Sequence, residues 1–141
     1  PAGDLGTPVL DQLFAVHVLA DFTSMLTQRR EHLRIGRDRL VASLRERLPE
    51  WHVPEVSGGL TLWVNLGAPV SSSLTLAARD QGLLVAAGPR FGVDGAFERF
   101  LRLPFSYSPD ETDRAVDALA AAWKGLARGV AAEAPFLAEV V

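Results

Sequence analysis

The sequence predicts an α+β fold: two long N-terminal helices, then a small sheet of about three strands covered by helices on one face. Three observations carry this. Leu60 to Leu66 and Phe100 to Phe105 both alternate apolar and other residues with the period of a half-buried strand. Segments with a period of 3.6 lie before, between and after them. The order helix, helix, strand, helix, strand, strand, helix contains no repeated strand–helix–strand unit of the kind that builds a parallel sheet.

The chain has 141 residues, 48% of them hydrophobic, which is enough for one packed core. A formal net charge of −3 argues against nucleic-acid binding by the chain as a whole. Without cysteine there is neither a disulfide framework nor a thiolate metal site, a composition suited to a reducing cytoplasm. No apolar run is long enough to span a membrane, and the first residues lack the pattern of a signal peptide. Thirteen of the fourteen basic residues are arginine, and Lys124 is the single lysine.

Residues 8–25 read as helix, with Thr7 as cap and Pro8 in the first turn. Val9, Leu10, Leu13, Phe14, Val16, Val18, Leu19 and Phe22 spread around nearly the whole cylinder, so the helix is expected to be buried between two bodies. A second helix, about 26–48, carries an apolar stripe at Leu33, Leu40, Val41, Leu44 and Leu48 and is closed by Pro49. Its seven arginines are interspersed with Glu31, Asp38 and Glu46 at helical spacing. No aromatic residues are interleaved for stacking on bases, so this is a solvated or inter-domain face rather than a DNA contact.

Ser57-Gly58-Gly59 is a turn leading into the strand from Leu60 to Leu66, in which Leu60, Leu62, Val64 and Leu66 share one face. Residues 71–81 form a helix started by a serine cluster and ended by Gly82. Residues 83–87 form a short apolar strand running into a loop with Gly88, Gly92 and Gly95. In the next strand Leu101, Leu103 and Phe105 point one way while Phe100, Arg102 and Pro104 point the other. Ser108-Pro109-Asp110-Glu111 combines a capping box with proline at the first helical position, and the helix it opens is expected to end near Gly129.

Arg102 is the residue whose chemistry demands an explanation. A guanidinium in mid-strand either reaches water from an edge strand or meets an anion, a carboxylate or phosphate that its planar fork can grip at two points. Other site chemistry is not encoded. His17, His32 and His52 are scattered without metal-ligand spacing, no G-x-S-x-G elbow is present, and the glycines at 88, 92 and 95 form no phosphate-binding fingerprint. Trp51, Trp63 and Trp123 are expected to fill the core.

The ordered set Glu31-His-Leu-Arg34, Arg37-Asp-Arg-Leu40, Leu48-Pro49, Ser57 to Leu66, Gly82 to Pro89 and Phe100 to Phe105 resembles the C-terminal part of fold-type-I aminotransferases that use pyridoxal phosphate. The likeness is strongest to the aminotransferase-like effector domain of MocR-type regulators in the GntR family. It implies a helical segment at 1–25 that packs on a missing large domain or a partner subunit, an aminotransferase-like small domain at 26–129, and a tail at 130–141. It implies that Arg102 binds the carboxylate of an amino-acid substrate or effector and that Gly58 and Gly59 form the turn that lets the small domain close. It further implies a cytoplasmic homodimer that touches DNA only through a missing N-terminal domain, and no membrane contact. The family's Schiff-base lysine, its pyridinium-pairing aspartate and its phosphate loop would lie upstream. This chain alone is therefore expected to hold no pyridoxal phosphate and to have no catalytic residue, and Lys124 is not promoted to that role. Two alternatives stay open: the small domain of a genuine aminotransferase, and a free-standing interaction domain in which Arg102 is structural.

Overall fold

A computed structural model describes residues 8–137, with side chains described as far as residue 127. Thr7 and residues 138–141 of the expected tail lie outside the described residues. The chain divides at His32/Leu33 into two compact units. The first contains α1 (Val9–Ala20) and the start of α2 (Phe22–Arg47). The expected single helix over 8–25 is thus broken at Asp21, whose backbone N–H bonds to the Val18 carbonyl at 3.2 Å while its own carbonyl already accepts from Met25. No α1 residue is buried, and Val9, Leu10, Leu13 and Phe14 are all exposed. Among the described residues no single helix is long and apolar enough to cross a membrane.

The second unit holds the rest of α2, then β1 (Thr61–Asn65), α3 (Ser71–Asp80), β2 (Ala86–Ala87), a 3-10 turn (Gly88–Phe91), β3 (Phe100–Pro104) and α4 (Pro109–Leu137). The three strands form an antiparallel sheet in the order β1-β3-β2. Its buried face presents Leu62, Val64, Leu101 and Leu103 to Leu40, Leu44 and Leu48 of α2, Leu74 and Ala78 of α3, and Val116 and Leu119 of α4. Each strand alternates because its two faces meet different surroundings, helices on one side and none of that core on the other.

Several local expectations need correction. β1 begins at Thr61, and Leu60, expected to face the core, is exposed; its backbone carbonyl instead accepts from the Phe105 N–H. The strand expected over 83–87 shortens to Ala86–Ala87: Leu83 closes the turn that ends α3, and residues 84 and 85 stay outside the ladder. That turn is a Schellman closure: Leu83 N–H bonds to the Ala78 carbonyl and Gly82 N–H to that of Arg79, with Gly82 at φ +78°. α3 is not capped by its own serines. The Glu98 carboxylate accepts from Ser72 N–H at 2.8 Å and Ser72 Oγ at 2.9 Å, while the Glu98 carbonyl accepts from Ser71 N–H. α4 does start with the expected capping box, Ser108 N–H donating to Glu111 and Glu111 N–H to Ser108 Oγ. It then runs through Gly129 to Leu137, the surrounding alanines offsetting a helix-interior glycine. Trp51 is buried and meets the partly buried Trp123 edge-on at 5.4 Å, but Trp63 lies on the opposite face of the sheet from the core.

From Arg34 onward the arginine-rich stretch of α2 is ion-paired. Arg34 and Arg37 bond to Asp38, while Arg39 and Arg47, eight residues apart, reach Asp113 and Asp117, four apart on α4. Ser43 Oγ also donates to Asp113, at 3.1 Å. The Arg39 guanidinium, and then Ser43, hold the Asp113 carboxyl below the usual carboxylate range, and Asp113 in turn raises Arg39. Because Asp113 is depressed in the folded state, its contribution is present above the unfolded carboxylate pKa and is lost as pH falls through the folded one. Asp113→Asn is accordingly expected to flatten the acid limb of a stability-versus-pH curve, measured by urea denaturation; an unchanged acid limb would show that the pair contributes nothing.

α2 approaches β3 closely at Gly36, where an added Cβ would lie 2.2 Å from the Phe105 carbonyl oxygen. Gly125, inside α4, has nothing within 4 Å of that position. Gly36→Ala should therefore destabilise by about 1–3 kcal/mol through overpacking. Gly125→Ala should stabilise by about 0.5–1 kcal/mol through reduced backbone freedom in the unfolded chain. Denaturation midpoints that moved in the same direction for both would contradict this account.

Candidate functional site

The sheet face turned away from the helices is where the chemistry collects. It displays Thr61, Trp63 and Asn65 from β1, Phe100, Arg102 and Pro104 from β3, and Ala86 from β2. Arg102 is opposite Trp63 on one side and Ala86 on the other, so it belongs to the central strand. The edge-strand reading of this arginine is thereby corrected: the strand ladder fixes its position on both sides. Its side chain is exposed above the sheet.

Two contacts aim the guanidinium. Its Cζ lies 5.2 Å from the centroid of the Phe91 ring, a cation–π distance. Nε donates to Thr61 Oγ1 at 3.5 Å, a long and weak bond. Among the described residues no carboxylate pairs with Arg102, whereas Arg34, Arg37, Arg39, Arg45 and Arg47 all meet one. The two terminal nitrogens, the edge that grips a carboxylate or phosphate at two points, carry no protein partner among those residues.

An aromatic group surrounds this arginine. Trp63 stacks on Phe100 at 5.4 Å and meets Phe91 and Phe97 edge-on at 5.6 and 5.7 Å. Phe91 and Phe97 come from the loop after β2, folded back over the open face. Gly88 permits the fold, since a Cβ there would lie 1.9 Å from the Phe97 carbonyl oxygen. Phe97 itself has φ +67°, the left-handed region that a bulky side chain enters only when its surroundings enforce it. The enforcement is visible on its C-terminal side. Phe100 N–H bonds to the Phe97 carbonyl, Glu98 holds the start of α3, and Arg99 donates to the Gly67 carbonyl at 2.6 Å while its own carbonyl accepts from Leu66 N–H.

Gly58 and Gly59 form an exposed bend just before β1, Gly59 at φ +93° with open space around it. The turn leads to Thr61, the residue toward which the Arg102 side chain leans, so both features sit at one end of the open face. Lys124 is exposed on α4, whose apolar side packs against the other face of the sheet, and the geometry does not bring it to Arg102. Among the described residues no three of His, Cys, Asp and Glu come together as a metal-ligand set. A half-open cavity of about 500 Å³ lies elsewhere, between residues 81–85, the end of β3 and α4; Arg102, Gly58 and Gly59 do not line it. Sequence reasoning found Arg102 but missed its aromatic neighbours. The available signal was Trp63 on the same side of its strand as Thr61 and Asn65, an outward position for so large an apolar ring.

No protein-family profile matches the chain, and no curated protein does. Solved structures do match. The α-aminoadipate aminotransferase LysN of Thermus thermophilus superposes with a TM-score of 0.79 at 25% identity, over 89% of this chain and 33% of that one. The kynurenine aminotransferase of Pyrococcus horikoshii gives 0.62 at 25% identity, over 68% and 24%. An archaeal alanine:glyoxylate aminotransferase gives 0.70 at 22% identity, over 87% and 32%. The fold is aminotransferase-like. The chain spans about a third or less of the length of these structures. Its own residues do not suffice for pyridoxal phosphate, because the only lysine is on the helix-covered side of the sheet.

Proposed function

We propose that this chain is the carboxylate-anchoring small domain of a pyridoxal-phosphate-dependent, aminotransferase-like protein. Arg102 is the residue that binds the carboxylate of an amino-acid substrate or effector. The observation that carries the reading is a guanidinium fixed on the central strand, steadied by Phe91, with its two-nitrogen edge unpaired among the described residues. The Gly58-Gly59 turn supplies the conformational freedom for the domain to move toward a bound ligand. The cofactor, when present, provides the aldehyde that reacts with the amino group. The residues that hold it belong to the parent protein outside this segment, and this chain contributes binding and orientation only.

Two kinds of parent would use such a domain. We read it as the effector domain of a MocR-type regulator, on the strength of the Ser57–Leu66, Gly82–Pro89 and Phe100–Phe105 stretches. That parent would be a homodimer responding to an amino acid or amine and contacting DNA through a separate N-terminal domain. The second reading, a catalytic aminotransferase, is favoured by the activities named for the superposed structures. In either parent the apolar, unburied surface of α1 is the part of this chain to be covered by a large domain or a partner subunit.

In the full-length protein, Arg102→Leu should weaken amino-acid binding by roughly 10- to 100-fold, the loss of a two-point charge-assisted contact. Arg102→Lys should restore little of it, because an ammonium cannot make the planar pair. Calorimetry of the folded Arg102→Leu protein with unchanged affinity would end the proposal. The choice of parent is settled by the reading frame upstream of Pro1: a basic winged helix followed by an aminotransferase-like lysine supports the regulator, and the lysine without the winged helix supports the enzyme. Sedimentation of either parent as a monomer would remove the dimer.

A further inference from the structure

The open face carries more information than a site for one carboxylate. Phe91 and Phe97 remain 44% and 46% exposed, although both rings are held edge-on against Trp63. Trp63, Phe97 and Phe100 form a closed group of contacts, and Phe91 joins it to Arg102. Both present about half their area beside a guanidinium whose two terminal nitrogens are unpaired among the described residues.

The loop that presents them is not loosely placed. Its first residue, Gly88, has no room for a side chain against the Phe97 carbonyl. Its last turn is tied through Glu98 to Ser71 and Ser72 of α3, and through Arg99 to Leu66 and Gly67 after β1. Phe97 is kept in the left-handed region between these anchors, at an energetic cost that a surface loop with no task could relieve by substitution. The rims of Phe91 and Phe97 are therefore pre-organised, as a selective contact requires.

Their place beside Arg102 bears on what they touch. A carboxylate gripped by Arg102 has its carbon roughly 4 Å from Cζ. The Phe91 centroid is 5.2 Å from the same atom, so the ring and a carboxylate held at the terminal nitrogens share one guanidinium, and a ligand side chain that leaves the α-carbon toward the loop runs beside the rings. We propose that the Phe91–Phe97 rim is the specificity surface of the site. It selects amino acids with apolar or aromatic side chains over those with a second carboxylate, which would have to be desolvated against the rings.

This inference rests on Arg102 being the carboxylate anchor, and the test separates the two. Affinities of the full-length protein for L-phenylalanine, L-leucine, L-alanine and L-glutamate are measured by calorimetry, together with the Phe91→Ala, Phe97→Leu and Arg102→Leu variants. L-phenylalanine and L-leucine are expected to bind at least about tenfold tighter than L-glutamate. Phe91→Ala should reduce the L-phenylalanine to L-alanine ratio by roughly tenfold, and Phe97→Leu should lower L-phenylalanine more than L-leucine. Using ratios removes any common loss of carboxylate binding caused by unsteadying the guanidinium. If Arg102→Leu abolishes binding of all four but Phe91→Ala leaves the ratio unchanged, the rim is overturned and the anchor stands. Tighter binding of L-glutamate than of L-leucine also overturns the rim, and would direct attention to Arg90, the neighbour of Phe91, as the receiver of a second carboxylate. If Arg102→Leu changes nothing, both fall.

Discussion

A three-stranded sheet covered on one side only sets the terms for everything else in the second unit. Leu101 and Leu103 are buried against α2, α3 and α4, and with a side-chain period of two the residues between and beside them must point the other way. Arg102 is outside because its neighbours are inside. β1 hydrogen-bonds to one side of β3 and β2 to the other at the level of this residue, so the arginine is carried by the most constrained strand available. A charged side chain on a frayed edge would sample many positions. This one is limited to the freedom of its own torsions, and stacking on Phe91 narrows that further.

The core and the open face also depend on each other through two places where backbone meets backbone. Gly36 brings α2 onto the Phe105 carbonyl, just past the end of β3, and Gly88 brings the loop after β2 onto the Phe97 carbonyl, just before its start. Both ends of the central strand are thus fixed by a glycine that excludes any Cβ. The Asp113 and Asp117 pairs to α2 add a polar seam on the far side of the core, where the two helices expose complementary charge. Exposed pairs of this kind contribute little individually.

Period and capping made much of this readable in advance. The stripe of α2, the alternation of β1 and β3, the Schellman end of α3 and the capping box of α4 each depend on residues within a few positions of one another, and local patterns report them well. What was not readable depends on partners distant in sequence. Glu98 caps α3 from 26 residues away. Leu60 is exposed although its carbonyl accepts from Phe105 N–H, the next step of the β1–β3 register. β2 is two residues long, with Leu83 bonded back to Ala78 and residues 84 and 85 outside the ladder. At the site, Arg102 was conspicuous as a charge in an apolar strand, but its place at the centre of the sheet follows from strand order, which no local pattern encodes. Trp63 was assigned to the core on size alone, whereas its side of the strand assigns it to the open face.

The loop between Gly88 and Arg99 is anchored at both ends and exposed at its tip. Its first residue cannot be exchanged without pushing away the Phe97 carbonyl, and its last two are bonded to α3 and to the residues just after β1. Val93, Asp94 and Gly95, in contrast, are exposed with open space around Gly95, and what restricts them is the left-handed backbone of Asp94 (φ +54°) and Gly95 (φ +72°). Such a segment separates inheritance of the fold from inheritance of the ligand. Descendants of this chain can lengthen, shorten or recolour the tip, shifting the two rings beside Arg102, while the strand that carries the arginine stays as it is.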